Sequence, residues 1–273
     1  MDSVKIGCNT LYPDGMLGAE ETFTTDCHLR ALDTIADAGF DAIEYSHPAP
    51  LDDEGLERVA AHAAELGLIP WSLHAWTSLP GTRDGISAAL AAYADSARRA
   101  KALGVRVIVV HSSGGIAPEV LDERRKANSE TLVALSEMVG PDITITVENM
   151  TSRADWEFLV PMVREVALPN VGLNIDTGHA NLGDMDVVDC IRLGGDLIRT
   201  THLQDNHGSR DDHLPPGLGT IDWPAVVRAF REVGYTGVYM VEITDCPYQR
   251  EADPRGDTRT AARNLRAFLE ATA

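Results

Sequence analysis

The chain is short of positive charge. Against 42 Asp and Glu stand only 23 Lys and Arg, a formal net charge of −19 over 273 residues. A field of that sign repels phosphate backbones and anionic lipid, so neither nucleic acid nor a membrane is an expected partner. Cysteine is scarce as well. Cys8, Cys27, Cys190 and Cys246 are scattered and form no C-x-x-C pair, which argues against a disulfide framework and against a thiolate zinc site. No apolar run approaches the length that spans a bilayer, and MDSVKIGCNT lacks a basic stretch followed by an apolar one, so a cytoplasmic protein is expected. Linkers and low-complexity stretches are missing, which leaves a single domain over residues 1–273. Gly217-Leu218-Gly219 lacks the preceding strand and immediate helix of a dinucleotide fingerprint. Asn149-Met150-Thr151 matches a glycosylation sequon, but without a secretion signal it carries no meaning.

What the chain does have is alternation. Short β-branched runs occur at Val4–Asn9, Asp41–Tyr45, Ile69–His74, Arg106–His111, Ile143–Glu148, Val171–Asp176, Ile198–Leu203 and Val238–Ile243. Helix-patterned segments separate them at Thr25–Ala38, Asp53–Leu66, Asp84–Leu103, Pro118–Val139, Arg153–Val166, Asp184–Leu193, Asp222–Val233 and Asp257–Ala271. Eight such units in a chain of this length predict an α/β fold, a single (β/α)8 TIM barrel with its active site at the C-terminal ends of the strands. A doubly wound open sheet is the alternative, and it does not account for the strand ends.

Those ends carry the chemistry. VIVVH stops at His111, ITITVE at Glu148, LNID at Asp176, WSLH at His74 and YMVE at Glu242, while His202 lies near the end of its own run. In a barrel these termini converge on one face. Three acids buried together would repel or protonate unless a cation sat among them. Imidazole with carboxylate suits Mn2+, Co2+, Fe2+ or Zn2+, and Mg2+ stays among the candidates because residue types alone do not choose.

The motifs VVHSS, VENM, IDTGHA, THLQDN, DDHLPPGLGTIDW and VEI, spread over nearly the whole chain, resemble those of the xylose-isomerase-like TIM barrels (AP endonuclease family 2), among them sugar-phosphate isomerases and ketose 3-epimerases. The resemblance implies that Glu148, Asp176, His202 and Glu242 hold one divalent metal ion. It also implies that Glu148 and Glu242 act as acid and base on opposite faces of a ketose, and that His179 steadies the substrate or the metal shell. The expected activity is a metal-dependent sugar or sugar-phosphate isomerase or epimerase that moves a proton beside a carbonyl through an enediolate. Its partner would be a small carbohydrate or keto acid, and a homo-oligomer is left open.

The sequence departs from the family in two respects. The epimerases place a substrate-binding arginine six residues after the metal histidine, where this chain has Gly208; Arg210 is the nearby substitute. The lysine-containing metal motif of true xylose isomerases is not recognisable, so a two-metal hydride shift is not expected. A dehydratase or β-eliminase on a keto-sugar, inosose or keto acid is therefore the second reading. A third comes from another class: His74, His111, Glu148, Asp176, His179, His202, Asp211, His213 and Glu242 match, in order and type, the residues that hold three zinc ions in endonuclease IV, which cleaves abasic DNA. The net charge opposes that reading. His74, His111, His179, Asp211 and His213 are thus expected to bind substrate or additional metal. Glu44 is a candidate for a substrate hydroxyl or a structural hydrogen bond, and Trp71, Trp76 and Tyr12 for an apolar wall. His28, His47 and His62 read as surface or loop residues, and Arg124-Arg125-Lys126 as a solvated helix face.

Overall fold

In the computed structural model, residues 4–11, 23–113, 117–244 and 253–272 are described; Tyr12 and Cys246 lie outside them. Eight parallel strands, β1 (Ile6–Asn9), β2 (Ala42–Ser46), β3 (Ile69–Ser78), β4 (Val107–His111), β5 (Thr144–Glu148), β6 (Val171–Asp176), β7 (Ile198–His202) and β8 (Tyr239–Val241), form one sheet in the order β7-β6-β5-β4-β3-β2-β1-β8. The ring closes where Leu203 bridges Val241 in parallel, with Leu203 N–H donating to Met240 O at 2.8 Å and Glu242 N–H to Leu203 O at 3.1 Å. This is the (β/α)8 barrel that the alternation predicted.

Helices α1 (Thr25–Asp37), α2 (Asp53–Glu65), α3 (Ile86–Leu103), α4 (Pro118–Val139), α5 (Arg153–Val166), α6 (Thr177–Leu182), α7 (Val187–Gly194), α8 (Trp223–Glu232) and α9 (Pro254–Ala271) accompany the strands. Their starts are set locally. Thr24, Asp52, Ser152, Asp186 and Asp222 each accept a hydrogen bond from a first-turn N–H, which meets donors that the helix itself leaves unpaired. Beneath them Leu32, Ile35, Val59, Leu132, Leu159 and Phe230 are buried against the strands. Among the described residues no helix is long and apolar enough to cross a membrane.

Three departures from the sequence reading bear on function. Strand β3 runs to Ser78, past the expected end at His74, and so carries Trp76 to the rim of the barrel. Helix α6 begins directly after β6, and its N-cap is Asp176 itself, which accepts from His179 N–H at 2.7 Å. Six residues are too few to show a helical period, but the cap fixes His179 beside the end of β6. Finally, two groups expected at the surface are buried. Arg124 pairs with Asp155 at 2.5 Å beneath the β4–α4 connection, and His28 lies between the carbonyls of Thr24 and Ser46. His62 does lie near the surface, where it meets Asp33 at 2.7 Å.

Candidate active site and metal centre

β5, β6 and β7 end on Glu148, Asp176 and His202, and Glu242 directly follows β8. All four are buried, and one ligand atom from each lies within 4.8 Å of the others. His202 Nδ1 is 2.9 Å from Glu148 Oε2 and 3.3 Å from Glu242 Oε2. His202 Nδ1 and Asp176 Oδ2 are buried yet make no hydrogen bond of good geometry. One imidazole and three carboxylates turned toward one another, with no thiolate, make a donor set that suits a divalent cation of the Mn2+, Co2+ or Zn2+ type.

Besides the set in which Glu44 and His74 join His202 and Glu242, two further groups adjoin this one. His74, His111 and Glu148 form the first, in which the two Nε2 atoms of the histidines stand 2.8 Å apart. His179, Asp211 and His213 form the second: Asp211 Oδ2 is 3.2 Å from His179 Nε2 and 3.0 Å from His213 Nε2. Contacts link the groups, because His179 Nδ1 is 3.2 Å from Glu148 Oε1 and His213 Nδ1 is 3.7 Å from Glu242 Oε2. All nine residues that the sequence singled out around the metal are therefore neighbours.

Charges in this space are mutually constrained. Burial opposes ionisation of Glu148, but His202 and the hydrogen bond from His179 hold its carboxyl well below the ordinary range. Glu242 behaves alike: burial raises it, and His202 and His74 lower it by more. Asp176 goes the other way and is pushed up to about 7, chiefly by burial and then by Glu148 and Glu242, with His179 opposing. Burial disfavours the charged form of His202, yet Glu242, Glu44 and Glu148 lift it well above its usual value. His213, disfavoured by burial but bonded to Asp211, rises to about 9. The carboxylates thus stabilise positive charge at the strand ends.

The remaining predicted residues fall in different places. Glu44 is fully buried; its Oε2 accepts from Ser72 Oγ at 2.7 Å and lies 3.0 Å from His202 Nε2. Arg210 pairs through Nε with Asp212 at 2.9 Å, and its side chain is 45% exposed, directed to that partner. Trp76, half exposed, stacks on His47 with ring centroids 4.0 Å apart and tilts over His74 at 4.8 Å. His47 sits in the left-handed region at φ 53°, and its imidazole is pushed down to about 4 by burial, which favours the neutral ring that stacks on Trp76. Trp71 belongs to the opposite end of the barrel, where its Nε1 donates to Thr200 Oγ1 at 3.0 Å.

Several residues at the site escaped the sequence reading. Asn174 Nδ2 donates to Glu148 Oε2 at 3.0 Å, and Asn149 holds Asp176 by accepting its backbone N–H at 2.7 Å. Gln204 Nε2 bridges Asp211 Oδ1 at 2.6 Å and Asp176 Oδ1 at 3.3 Å. A β-carbon on Gly178 would meet the Gln204 amide at 2.0 Å, so the glycine makes room for that bridge. The signal was present in part: Asn174 lies two residues before Asp176 on β6, on the same face by strand alternation, while Gln204 lies two residues past His202, beyond the end of β7.

Comparison with known proteins identifies the family and the fold. The family described as xylose isomerase-like TIM barrel matches residues 32–268. An L-ribulose 3-epimerase of Mesorhizobium japonicum is 28% identical over 225 residues, 76% of this chain and 72% of that one. An uncharacterised protein of Methanocaldococcus jannaschii is 31% identical over 161 residues, and the match spans 54% of each chain. A crystal structure of the IOLI protein with a bound zinc atom superposes with a TM-score of 0.81 at 21% identity, covering 99% of both chains, a likeness of fold.

Proposed function

The chain belongs to the xylose isomerase-like TIM-barrel family, and from that premise we propose that it is a divalent-metal-dependent sugar isomerase or epimerase that moves a proton beside a ketose carbonyl. One observation carries the reading: Glu148 and Glu242 both meet His202 Nδ1 in a single buried cluster with Asp176. A cation held there would draw charge from a ketose carbonyl and hydroxyl and so acidify the adjacent C–H bond.

The protein's own groups do the rest. Glu148 and Glu242 are both held as carboxylates, so either can accept the carbon-bound proton at an Oε atom. Each is fixed by neighbours. Asn174 and His179 anchor Glu148, and His74 Nδ1, 3.5 Å from Oε1, with His202 anchors Glu242. An oriented base needs no rearrangement at the moment of transfer. Trp76, half exposed at the rim, is placed to cover the apolar face of a sugar.

Incubation of the Mn2+- or Co2+-supplemented protein with a panel of ketoses and keto-polyols in deuterated water tests this. Deuterium enters the carbon beside the carbonyl, or an epimer accumulates, and both stop on chelation. A fully metal-free protein that retains the activity would refute the reading. Products that have lost water or an aglycone would place the chemistry in the lyase class, the reading that Gly208 and the Asp212-paired Arg210 leave room for.

The two flanking groups support a second reading. If His74, His111 and Glu148 and also His179, Asp211 and His213 took cations, the site would hold three, as in the phosphodiesterase pattern. Two features weigh against it: the net charge of −19 opposes a nucleic-acid substrate, and His74 and His111 already meet each other through Nε2. Elemental analysis with a cleavage assay on an abasic duplex decides, since one metal per chain and no nicking excludes it.

A further inference from the structure

The geometry points to Glu44 as the residue that sets the tautomer and ring orientation of His202 and thereby the affinity of the cation site. It rests on the cation site of the preceding reading and is independent of the substrate.

Glu44 on β2 and His202 on β7 are 158 positions apart in the chain and meet across the barrel interior, with Glu44 Oε2 at 3.0 Å from His202 Nε2 and both side chains fully buried. The same oxygen accepts from Ser72 Oγ at 2.7 Å. A shift in strand register brings that partner into place: Ile43 faces Pro70, but Glu44 faces Ser72, one residue further along β3. Such irregularities re-aim side chains. With its oxygen directed at Nε2, Glu44 requires that this nitrogen carry the proton. When a cation takes the place of the proton on the other nitrogen, the lone pair it meets is that of Nδ1, the atom that faces Glu148 and Glu242. A carboxylate behind an imidazole in this way fixes the ring and makes its other nitrogen a stronger donor.

This assignment differs from that of a substrate ligand. Glu44 lies on the far side of the His202 ring from Glu148, and it is completely shielded from solvent. It also differs from that of a metal ligand. A Glu44 oxygen is within 4.8 Å of ligand atoms of His74, His202 and Glu242, and Oε1 makes no hydrogen bond, but Oε2, the oxygen that meets His202, is engaged by Ser72 Oγ and His202 Nε2 and holds the carboxyl against the ring. Glu44 is therefore a positioning residue.

Apoprotein is titrated with Co2+ and followed by its visible absorption, for the wild type, Glu44→Gln, His202→Ala and the double variant. Glu44→Gln, nearly isosteric, is expected to weaken Co2+ binding by about 10- to 100-fold while the circular dichroism of the apoprotein is unchanged. In the His202→Ala background the same substitution should change affinity by less than about twofold, because the route through the ring is gone. A Glu44→Gln affinity equal to wild type, or a loss that persists in full without His202, would overturn the inference. If Glu44→Gln does not fold, Ser72→Ala serves: a Co2+ affinity reduced several-fold supports the role, and an unchanged one refutes it. Ketose turnover does not enter the test, so a protein that binds cobalt and leaves every ketose untouched refutes only the isomerase reading.

Discussion

At the carboxyl end of the barrel, Glu44, Glu148, Asp176, Asp211 and Glu242 share a small volume with His74, His111, His179, His202 and His213. At the amino end the same strands begin in an apolar layer of Ala42, Ile69, Trp71, Val238 and Met240. Outside that layer lies a cleft of about 680 Å3 whose lining, among the described residues, includes Lys5, Arg106, Arg231, Tyr235 and Tyr239 but no carboxylate. Close packing holds the amino end: a β-carbon on Gly7 would stand 2.6 Å from Met240 Cε. The carboxyl end gathers buried like charges, which cost stability unless they are paired or share a cation. The division of labour follows from barrel geometry, since all eight strands open on the same face. One end gathers the titratable groups, and the other is packed apolar.

The most damaging way to test the contrast is at the proposed acid–base pair, Glu148 and Glu242. Glu148→Gln keeps the shape and the Asn174 contact but removes the base; proton-transfer activity should fall by roughly 10²- to 10⁴-fold. Deuterium exchange into a turned-over ketose measures it. The apoprotein should still fold cooperatively, as judged by thermal unfolding. A variant that unfolds, or one with full exchange activity, would erase the proposed difference between the ends.

The opposite substitution belongs at the amino end. Met240 is fully buried in the basal layer, and its side chain fills the space that Gly7 leaves. Met240→Ala should cost about 2–5 kcal/mol of folding free energy through lost contacts and a residual cavity. Chemical denaturation reads that loss directly, and Co2+ affinity below the transition should stay within about twofold of wild type if the ends act independently. A large fall in cation affinity would show that basal packing sets the spacing of Glu148 and Glu242.

How far these ends could be read in advance depends on how local their causes are. Glu148, Asp176 and His111 each terminate a β-branched run, so strand period and barrel closure together place them. Asn174 obeys the same parity and Gln204 lies just past the end of β7, but amides at such positions have many structural uses, and nothing nearby marks them. The contact between Glu44 and His202 could not be read at all. It spans 158 residues and depends on a one-residue register shift opposite Ser72 that no local pattern announces. Arg124 misled for a related reason: flanked by Arg125 and Lys126 it reads as a charged surface, yet the partner that buries it, Asp155, lies 31 residues on.

The rim offers the mildest test and the one that bears on substrate class. Trp76 is 50% exposed, unlike the basal Trp71, which is tied to Thr200. Its place at the mouth follows from the four residues by which β3 outruns its expected end. Because the ring already lies half in water, Trp76→Ala should change folding free energy by no more than about 1 kcal/mol. If the indole covers the apolar face of a bound sugar, its loss removes stacking worth about 0.5–1.5 kcal/mol. That corresponds to a KM about two- to tenfold higher, with kcat nearly unchanged, because such contact is equal in ground and transition states. A fall in kcat without a rise in KM would instead make Trp76 a support for His74 and His111, over which its ring lies, and would move the boundary of the chemical end outward to the rim.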